Sequence, residues 1–343
     1  MTPRAAIVGL SGPVLSAEEA ALLRALPPLG VILFARNVVA PAQLRALCAA
    51  VREILGPEAP ILVDQEGGRV ARLKPPRWEA FPPAAAFESA PEPAARANAL
   101  LLGAACVAEG LDVVCAPVLD LRLPGAHGVI GDRAYSADPA EIARLGAAMV
   151  AGLQEAGAIP VLKHIPGHGR SLADSHHELP RVAATRAELA QDIAPFRALA
   201  GSGAWAMTAH VLYEAWDATR PATISAPVID DIIRGEIGFD GVLVTDDLAM
   251  GALQGASNDL AAAALSAGCD VVLHCTGRIT DAAALLPDCP SLTDRALERL
   301  AAARAARDAF RTRDPAALRA LRDAGLGARG AAPAGDDPTA RPA

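Results

Sequence analysis

The segment Gly241-Val-Leu-Val-Thr-Asp-Asp-Leu-Ala-Met250 holds the unit from which the fold is read: a short run of apolar and β-branched side chains that hands over abruptly to two carboxylates. Val and Thr are stiff at χ1 and favour strands. A short apolar run without alternation suits a strand covered on both faces, as in a parallel sheet. Working outward, similar runs recur at Ala5–Gly9, Gly30–Phe34, Pro60–Val63, Val113–Cys115, Val161–Leu162, Ala204–Met207 and Asp270–Leu273; with Gly241–Val244 they make eight candidate strands. Between them lie Ala-, Leu-, Glu- and Arg-rich segments of helical spacing, several opened by capping signals: Ser16 with Glu19, Asp138-Pro139 with Glu141, and Thr185 with Glu188. Such alternation builds a parallel sheet through right-handed crossovers, and eight units are enough to close it. The expectation is an α/β fold, a single-domain TIM-type (β/α)8 barrel, with an open doubly wound sheet as the alternative.

The middle of the chain contains no Gly-, Pro- or Ser-rich linker. One catalytic domain over residues 1–326 is expected, ending in a helical segment from about Ser291 to Ala324. From Gly327 the run Ala-Arg-Gly-Ala-Ala-Pro-Ala-Gly-Asp-Asp-Pro is too broken and polar to pack, so residues 327–343 are expected to form a disordered tail. With 52% hydrophobic residues but only 3% aromatic ones, the core must be packed by Ala, Leu and Val. A formal charge of −8 and a pI near 5.4 argue against nucleic acid or an anionic membrane as partner and favour a small neutral or mixed ligand. The six cysteines form no CxxC and several sit in apolar runs, which reads as reduced core thiols. Residues 1–10 lead to no cleavage-type site, and no stretch reaches the ~18 apolar residues of a membrane span. A cytoplasmic monomer is expected.

The chemistry gathers where strands end, the place at which the loops of a barrel converge on a ligand. Asp64 follows Ile61-Leu-Val63, Lys163 and His164 follow Val161-Leu162, His210 follows Met207-Thr-Ala209, Asp246 follows Val242-Leu-Val-Thr245, and His274 follows Val271-Val-Leu273. One polar strand end means little; repetition at the same end points to a site. In Asp64-Gln-Glu-Gly-Gly-Arg-Val-Ala-Arg-Leu73, the paired Gly67 and Gly68 would let backbone approach a ligand while Asp64 and Arg72 grip hydroxyls. Four His, a Lys and an Asp crowd the fifteen positions from Lys163 to His177. His164 and His168 have the i, i+4 spacing of a metal site on a helix, but Pro166, Gly167 and Gly169 oppose a helix; a metal held by an irregular loop remains the alternative. Asp174-Ser-His176 suits proton transfer better, because a carboxylate on one ring nitrogen favours the protonated ring and leaves the other nitrogen for substrate. Either Asp246 or Asp247 can serve as a nucleophile, and Asp247 can instead cap a helix beginning near Leu248.

These stretches resemble the single-domain β-N-acetylglucosaminidases of glycoside hydrolase family 3, the bacterial NagZ type. The resemblance is carried by Lys163-His-Ile-Pro-Gly-His-Gly169 with Asp174-Ser-His176, the Asp64 loop, Gly30-Val-Ile-Leu-Phe-Ala-Arg-Asn37, Ala116-Pro-Val-Leu-Asp120, Gly131-Asp-Arg133, Thr208-Ala-His210, Arg220-Pro-Ala-Thr223, Thr245-Asp-Asp-Leu-Ala-Met250 and Gly268-Cys-Asp270. Ile165 departs from the common Phe, and Tyr135 stands where Phe is frequent. The resemblance implies that Asp246 is the nucleophile of a covalent glycosyl-enzyme and that His176, oriented by Asp174, is the general acid/base. It implies that Asp64, Arg72, Arg133, Lys163 and His164 hold the sugar, and that His210 and Met250 line the pocket. It further implies a retaining exo-β-N-acetylglucosaminidase without metal or organic cofactor, acting on N-acetylglucosaminyl muropeptides in cell-wall recycling. The alternatives are a glycosyl phosphorylase or β-glucosidase of the same family, a metal-dependent barrel hydrolase, and a sugar-binding protein without turnover.

Overall fold

The computed structural model describes residues 2–307, 313–327 and 337–339. Its chain order runs β1 (Arg4–Gly9), α1 (Ala17–Ala25), β2 (Pro28–Leu33), α2 (Pro41–Leu55), β3 (Ile61–Val63), α3 (Glu92–Ala108), β4 (Val113–Val114), α4 (Pro139–Glu155) and β5 (Ile159–Ile165). It continues with β6 (Arg181–Val182), α5 (Arg186–Leu199), β7 (Trp205–Thr208), β8 (Leu212–Tyr213), a wide-turned helical segment Val228–Glu236, β9 (Leu243–Asp247), α6 (Ser257–Ala267), β10 (Val271–His274), α7 (Ile279–Leu285), α8 (Asp294–Ala305) and α9 (Pro315–Leu326). Eight parallel strands close in the order β1-β10-β9-β7-β5-β4-β3-β2, the ring sealed where Ile7 of β1 pairs with Leu273 of β10. The fold is a TIM-type (β/α)8 barrel.

Alternation along each strand explains the two layers of core. Ala5 and Ile7, Val113, Ile159 and Val161 point into the barrel, where Ala296, Leu300 and Ala303 of α8 join them. Ala6 and Val8, Val31 and Leu33, and Val114 point outward to meet the helices. The capping signals act as read: Ser16 and Thr185 form complete capping boxes with Glu19 and Glu188, and Asp138 accepts from the Ala140 N–H. All six cysteines are free and buried. Among the described residues no helix is long and apolar enough to cross a membrane.

Several boundaries differ from the sequence expectation. β5 runs on to Ile165, so Lys163 and His164 lie within the strand; their backbone stays paired because Lys163 and Ile165 register with Met207 and Thr208 of β7. β9 likewise includes Asp246 and Asp247, with Asp247 registered to Leu273. No helix begins at Leu248: residues 248–253 form turns and α6 starts at Ser257. The expected helical segment 291–324 is two helices, α8 capped by Thr293 and α9 capped by Asp314. The parallel pair of β6 and β8, two residues each, lies outside the barrel and is too short to announce itself by periodicity. Of the tail expected to be disordered, residues 328–336 and 340–343 lie outside the described residues, and residues 337–339 are found at the barrel mouth.

Candidate active site

At the C-terminal end of the barrel, Asp64 and Glu66 follow β3, Lys163 projects from β5, and Arg133 comes from the short helical turn Gly131–Arg133. The Lys163 ammonium lies 3.0 Å from Asp64 Oδ1 and 2.6 Å from Glu66 Oε1. Arg133 grips the same Glu66 through two parallel bonds, Nε to Oε2 at 2.8 Å and Nη2 to Oε1 at 2.9 Å. Burial would push the Glu66 carboxyl up, but Arg133 and Lys163 outweigh it and bring it down to about 2. Burial opposes ionisation of Asp64 too, and Lys163 and Arg72 overcome it, holding that carboxyl well below the usual range. Lys163 is in turn held above its ordinary value because Asp64 and Glu66 outweigh its desolvation. The cluster is therefore fully charged at neutral pH. Buried pairs of this kind add little net stability but fix side chains in one geometry, which suits a site that must position a ligand.

The loop that carries Asp64 and Glu66 is locked from behind. Gln65 Oε1 accepts from the Arg72 and Leu73 N–H groups, at 2.8 and 3.0 Å. Gly67 and Gly68 have φ of +98° and +58°, and a Cβ at either would stand 2.3 Å from the Pro82 carbonyl or 2.6 Å from the Pro83 side chain. The lack of side chains at this Gly-Gly pair lets the loop pack against Pro82-Pro83. Asp120, buried after β4, accepts from His164 Nδ1 at 2.7 Å and from the His168 N–H at 2.7 Å, which orients the His164 ring.

Across the mouth, Asp246 at the end of β9 accepts the Asp247 N–H at 2.8 Å. Asp247 Oδ1 accepts from the Ala249 and Cys275 N–H groups, both at 3.0 Å, and so binds β9 to the loop after β10. His176 Nδ1 lies 2.6 Å from Asp174 Oδ1, which also accepts the His176 N–H at 2.9 Å. Burial raises the Asp174 carboxyl, yet these bonds from His176 prevail and the net direction is downward. The carboxylate stays ionised and fixes the ring.

A cleft of about 620 Å3, counting the open space at its mouth, gathers Asp64, Arg133, Lys163, His164, His176, Asp246 and Met250 in its lining. Three of the residues singled out from sequence stand behind it. Asp174 backs His176. Arg72 backs Asp64 through a 3.0 Å ion pair. His210, expected to line the pocket, is fully buried beneath its floor, with Nδ1 2.7 Å from Thr223 Oγ1 and Nε2 3.1 Å from the Asp247 carbonyl. Burial pushes His210 down to about 4, so the ring is neutral and its Nε2–H donates to that carbonyl. Glu66 and Asp120 were not singled out from sequence, because each acquires its role from a partner 67 and 44 positions away. His164 sits in strand β5 and His168 in the loop after it, and among the described residues no group of three or more His, Cys, Asp or Glu could hold a metal ion. Residues 337–339 reach the same mouth: Asp337 Oδ2 and Thr339 Oγ1 lie 2.5 and 2.6 Å from Arg72, and Thr339 joins the cleft lining.

Comparison with known proteins gives one consistent picture. Residues 9–302 match the family described as the glycosyl hydrolase family 3 N terminal domain. A protein of Alkalilimnicola ehrlichii named beta-hexosaminidase is 43% identical over 309 residues, covering 86% of this chain and 87% of its own length. Among solved structures, native NagZ from Neisseria gonorrhoeae superposes with a TM-score of 0.86 at 31% identity, covering 97% of this chain and 99% of that one. A family 3 beta-N-acetylglucosaminidase from Paenibacillus superposes with a TM-score of 0.83 at 32% identity, covering 95% of this chain and 67% of that one.

Proposed function

This chain belongs to glycosyl hydrolase family 3, and from that membership we propose that it is a retaining exo-β-N-acetylhexosaminidase that removes a terminal β-linked N-acetylglucosamine. The relatives named beta-hexosaminidase and the NagZ neighbour support the substrate class. The observation that carries the mechanism is that Asp246 and His176 face one cleft whose far wall is the charged cluster of Asp64, Lys163 and Arg133.

In the proposed reaction the cluster holds the sugar hydroxyls and sets the ring with its anomeric carbon toward Asp246. Asp246 attacks that carbon while His176, its ring held by Asp174, gives a proton to the departing oxygen. The glycosyl ester is then opened by water, and the neutral imidazole now takes the proton from it. Retaining glycosidases usually assign these roles to two carboxyl groups about 5–5.5 Å apart; here an imidazole with a carboxylate behind it stands for the second. Double displacement retains the β-anomer. Catalysis depends on no metal in this scheme, and residues 1–326 are taken as the catalytic unit. The natural substrate proposed is an N-acetylglucosaminyl muropeptide met in the cytoplasm during cell-wall recycling, by an enzyme acting as a monomer.

Paired aryl N-acetyl-β-glucosaminide and β-glucoside substrates test the specificity, with turnover expected only for the first at comparable concentration. Proton NMR of the first-formed sugar should show the β-anomer; an α-anomer contradicts double displacement. Running the reaction with inorganic phosphate distinguishes hydrolysis from phosphorolysis: the proposal expects free sugar in both cases, and a sugar phosphate refutes it.

A further inference from the structure

The loop carrying Asp174 and His176 is held over the cleft by three hydrogen bonds that the chemistry itself does not use. The Gly251 N–H donates to the His176 carbonyl and the Ala252 N–H to the Ser175 carbonyl, both at 3.1 Å. The buried Ser175 hydroxyl meets His168 Nε2 at 3.1 Å. Two of the three tie this loop to the turn that follows β9, the strand carrying Asp246. The seam between them has no spare room at residue 251: a Cβ there would lie 2.6 Å from the His177 carbonyl oxygen, 2.8 Å from that of His176 and 2.9 Å from the His177 carbonyl carbon. These are backbone atoms, so relief comes only by parting the 174–177 loop from the turn that carries Gly251. Gly251 is absent from the positive-φ glycines, so space rather than backbone conformation calls for glycine here. Gly255 is the opposite case, with φ of +131° and nothing nearer to its missing Cβ than 3.9 Å.

We propose that Gly251 is a positioning residue, the seat on which the 174–176 loop closes, and that its lack of a side chain sets how near His176 stands to Asp246. The inference rests on the proton-transfer role proposed above for His176. Alanine at 251 displaces the His177 carbonyl from 2.6 Å to the 3.4 Å at which ordinary contact begins, a retreat of about 0.8 Å. The neighbouring 3.1 Å bonds lengthen with it, and the imidazole shifts relative to Asp246, which β9 holds in place. A misplacement of about 1 Å at a reacting group costs up to about 100-fold.

The test is kcat/KM over a series of aryl N-acetyl-β-glucosaminides whose leaving phenols run from strongly to weakly acidic. Wild type, Gly251→Ala, His176→Ala and the double variant are compared. His176→Ala is expected to lose little on the most acidic phenol and about 100-fold or more on the least acidic. Gly251→Ala should tilt the same way, losing about 10- to 100-fold on the least acidic phenol and under about threefold on the most acidic. The double variant should be no slower than His176→Ala, since a displaced loop acts only through its imidazole. A steep His176→Ala series with a flat Gly251→Ala series overturns the seat alone, as do losses that multiply in the double variant. A flat His176→Ala series sinks the proton-transfer assignment and this proposal with it. Should Gly251→Ala fail to fold, Ser175→Ala removes the third tether without adding bulk; it should show a smaller tilt, and a flat series overturns the seat.

Discussion

Replacing Glu66 by alanine should destabilise the protein and disable it together, for one electrostatic reason. Glu66 is buried and shares its two oxygens among Arg133, at 2.8 and 2.9 Å, and Lys163, at 2.6 Å. Without it, the buried Arg133 and Lys163 face Asp64 as the remaining carboxylate of the cluster, and that carboxylate is already shared with Arg72. Removing one partner of a buried charge pair costs about 3–5 kcal/mol, because the cations left behind stay desolvated. An unfolding entropy of about 2.1 cal/mol/K per residue gives about 0.7 kcal/mol/K for 343 residues. The melting temperature should therefore fall by about 4–7 °C. With Lys163 and Arg133 released, kcat/KM should drop about 100-fold. The pH dependence has a defined sign: Glu66 is depressed to about 2 from an ordinary 4.5, so its contribution is complete above pH 4.5 and lost as pH falls toward 2. Thermal melts of wild type and Glu66→Ala at a series of pH values read this directly. A melting temperature within about 1 °C of wild type at pH 7, or a gap unchanged on acidification, refutes the reasoning.

Three further predictions follow from the buried histidines, the dyad and the tail contacts. His168 and His210 are both pushed to about 4 by burial, so the unfolded chain binds protons that the fold refuses; melting temperature should decline as pH drops from 6.5 toward 4, and a flat profile there contradicts their neutral, buried state. Asp174→Asn removes the carboxylate that lies 2.6 Å from His176 Nδ1 and should lower kcat/KM most on the least acidic leaving phenols; an equal loss across the leaving-group series argues against the pair acting as a unit. The double substitution Asp337→Ala/Thr339→Ala should lower KM about two- to tenfold at unchanged kcat if those residues occupy the site for half to nine tenths of the time, and an unchanged KM shows that they do not compete with the sugar.

The barrel is legible because its eight strands are short β-branched or apolar runs, five of which hand over to an ionisable residue, and because capping boxes such as Ser16 with Glu19 mark helix starts locally. Strand ends were read short at β5 and β9, where backbone pairing continues under residues whose side chains look like loop chemistry. Seven of the ten residues singled out for the site line one cleft. The other three are displaced for reasons no spacing reveals: Asp174 and Arg72 each stand behind a partner, and His210 supports the Asp247 carbonyl from beneath. Glu66 is not legible, since an acidic residue beside a Gly-Gly turn reads as solvated until Arg133 is brought to it. Gly67 and Gly68 leave room for Pro82-Pro83, a contact that the Gly-Gly pair alone does not announce. The contact of Asp337 and Thr339 with Arg72 spans more than 260 positions, and composition alone could not anticipate it.

The central claim is that the Asp246 carboxylate bonds to the anomeric carbon. Incubation with a fluorinated slow substrate, followed by proteolysis and mass mapping, tests it most directly: one glycosyl adduct is expected on the peptide containing Asp246, and none in Asp246→Ala. An adduct on Asp247, Asp64 or any other residue, or full turnover by Asp246→Ala, contradicts the account.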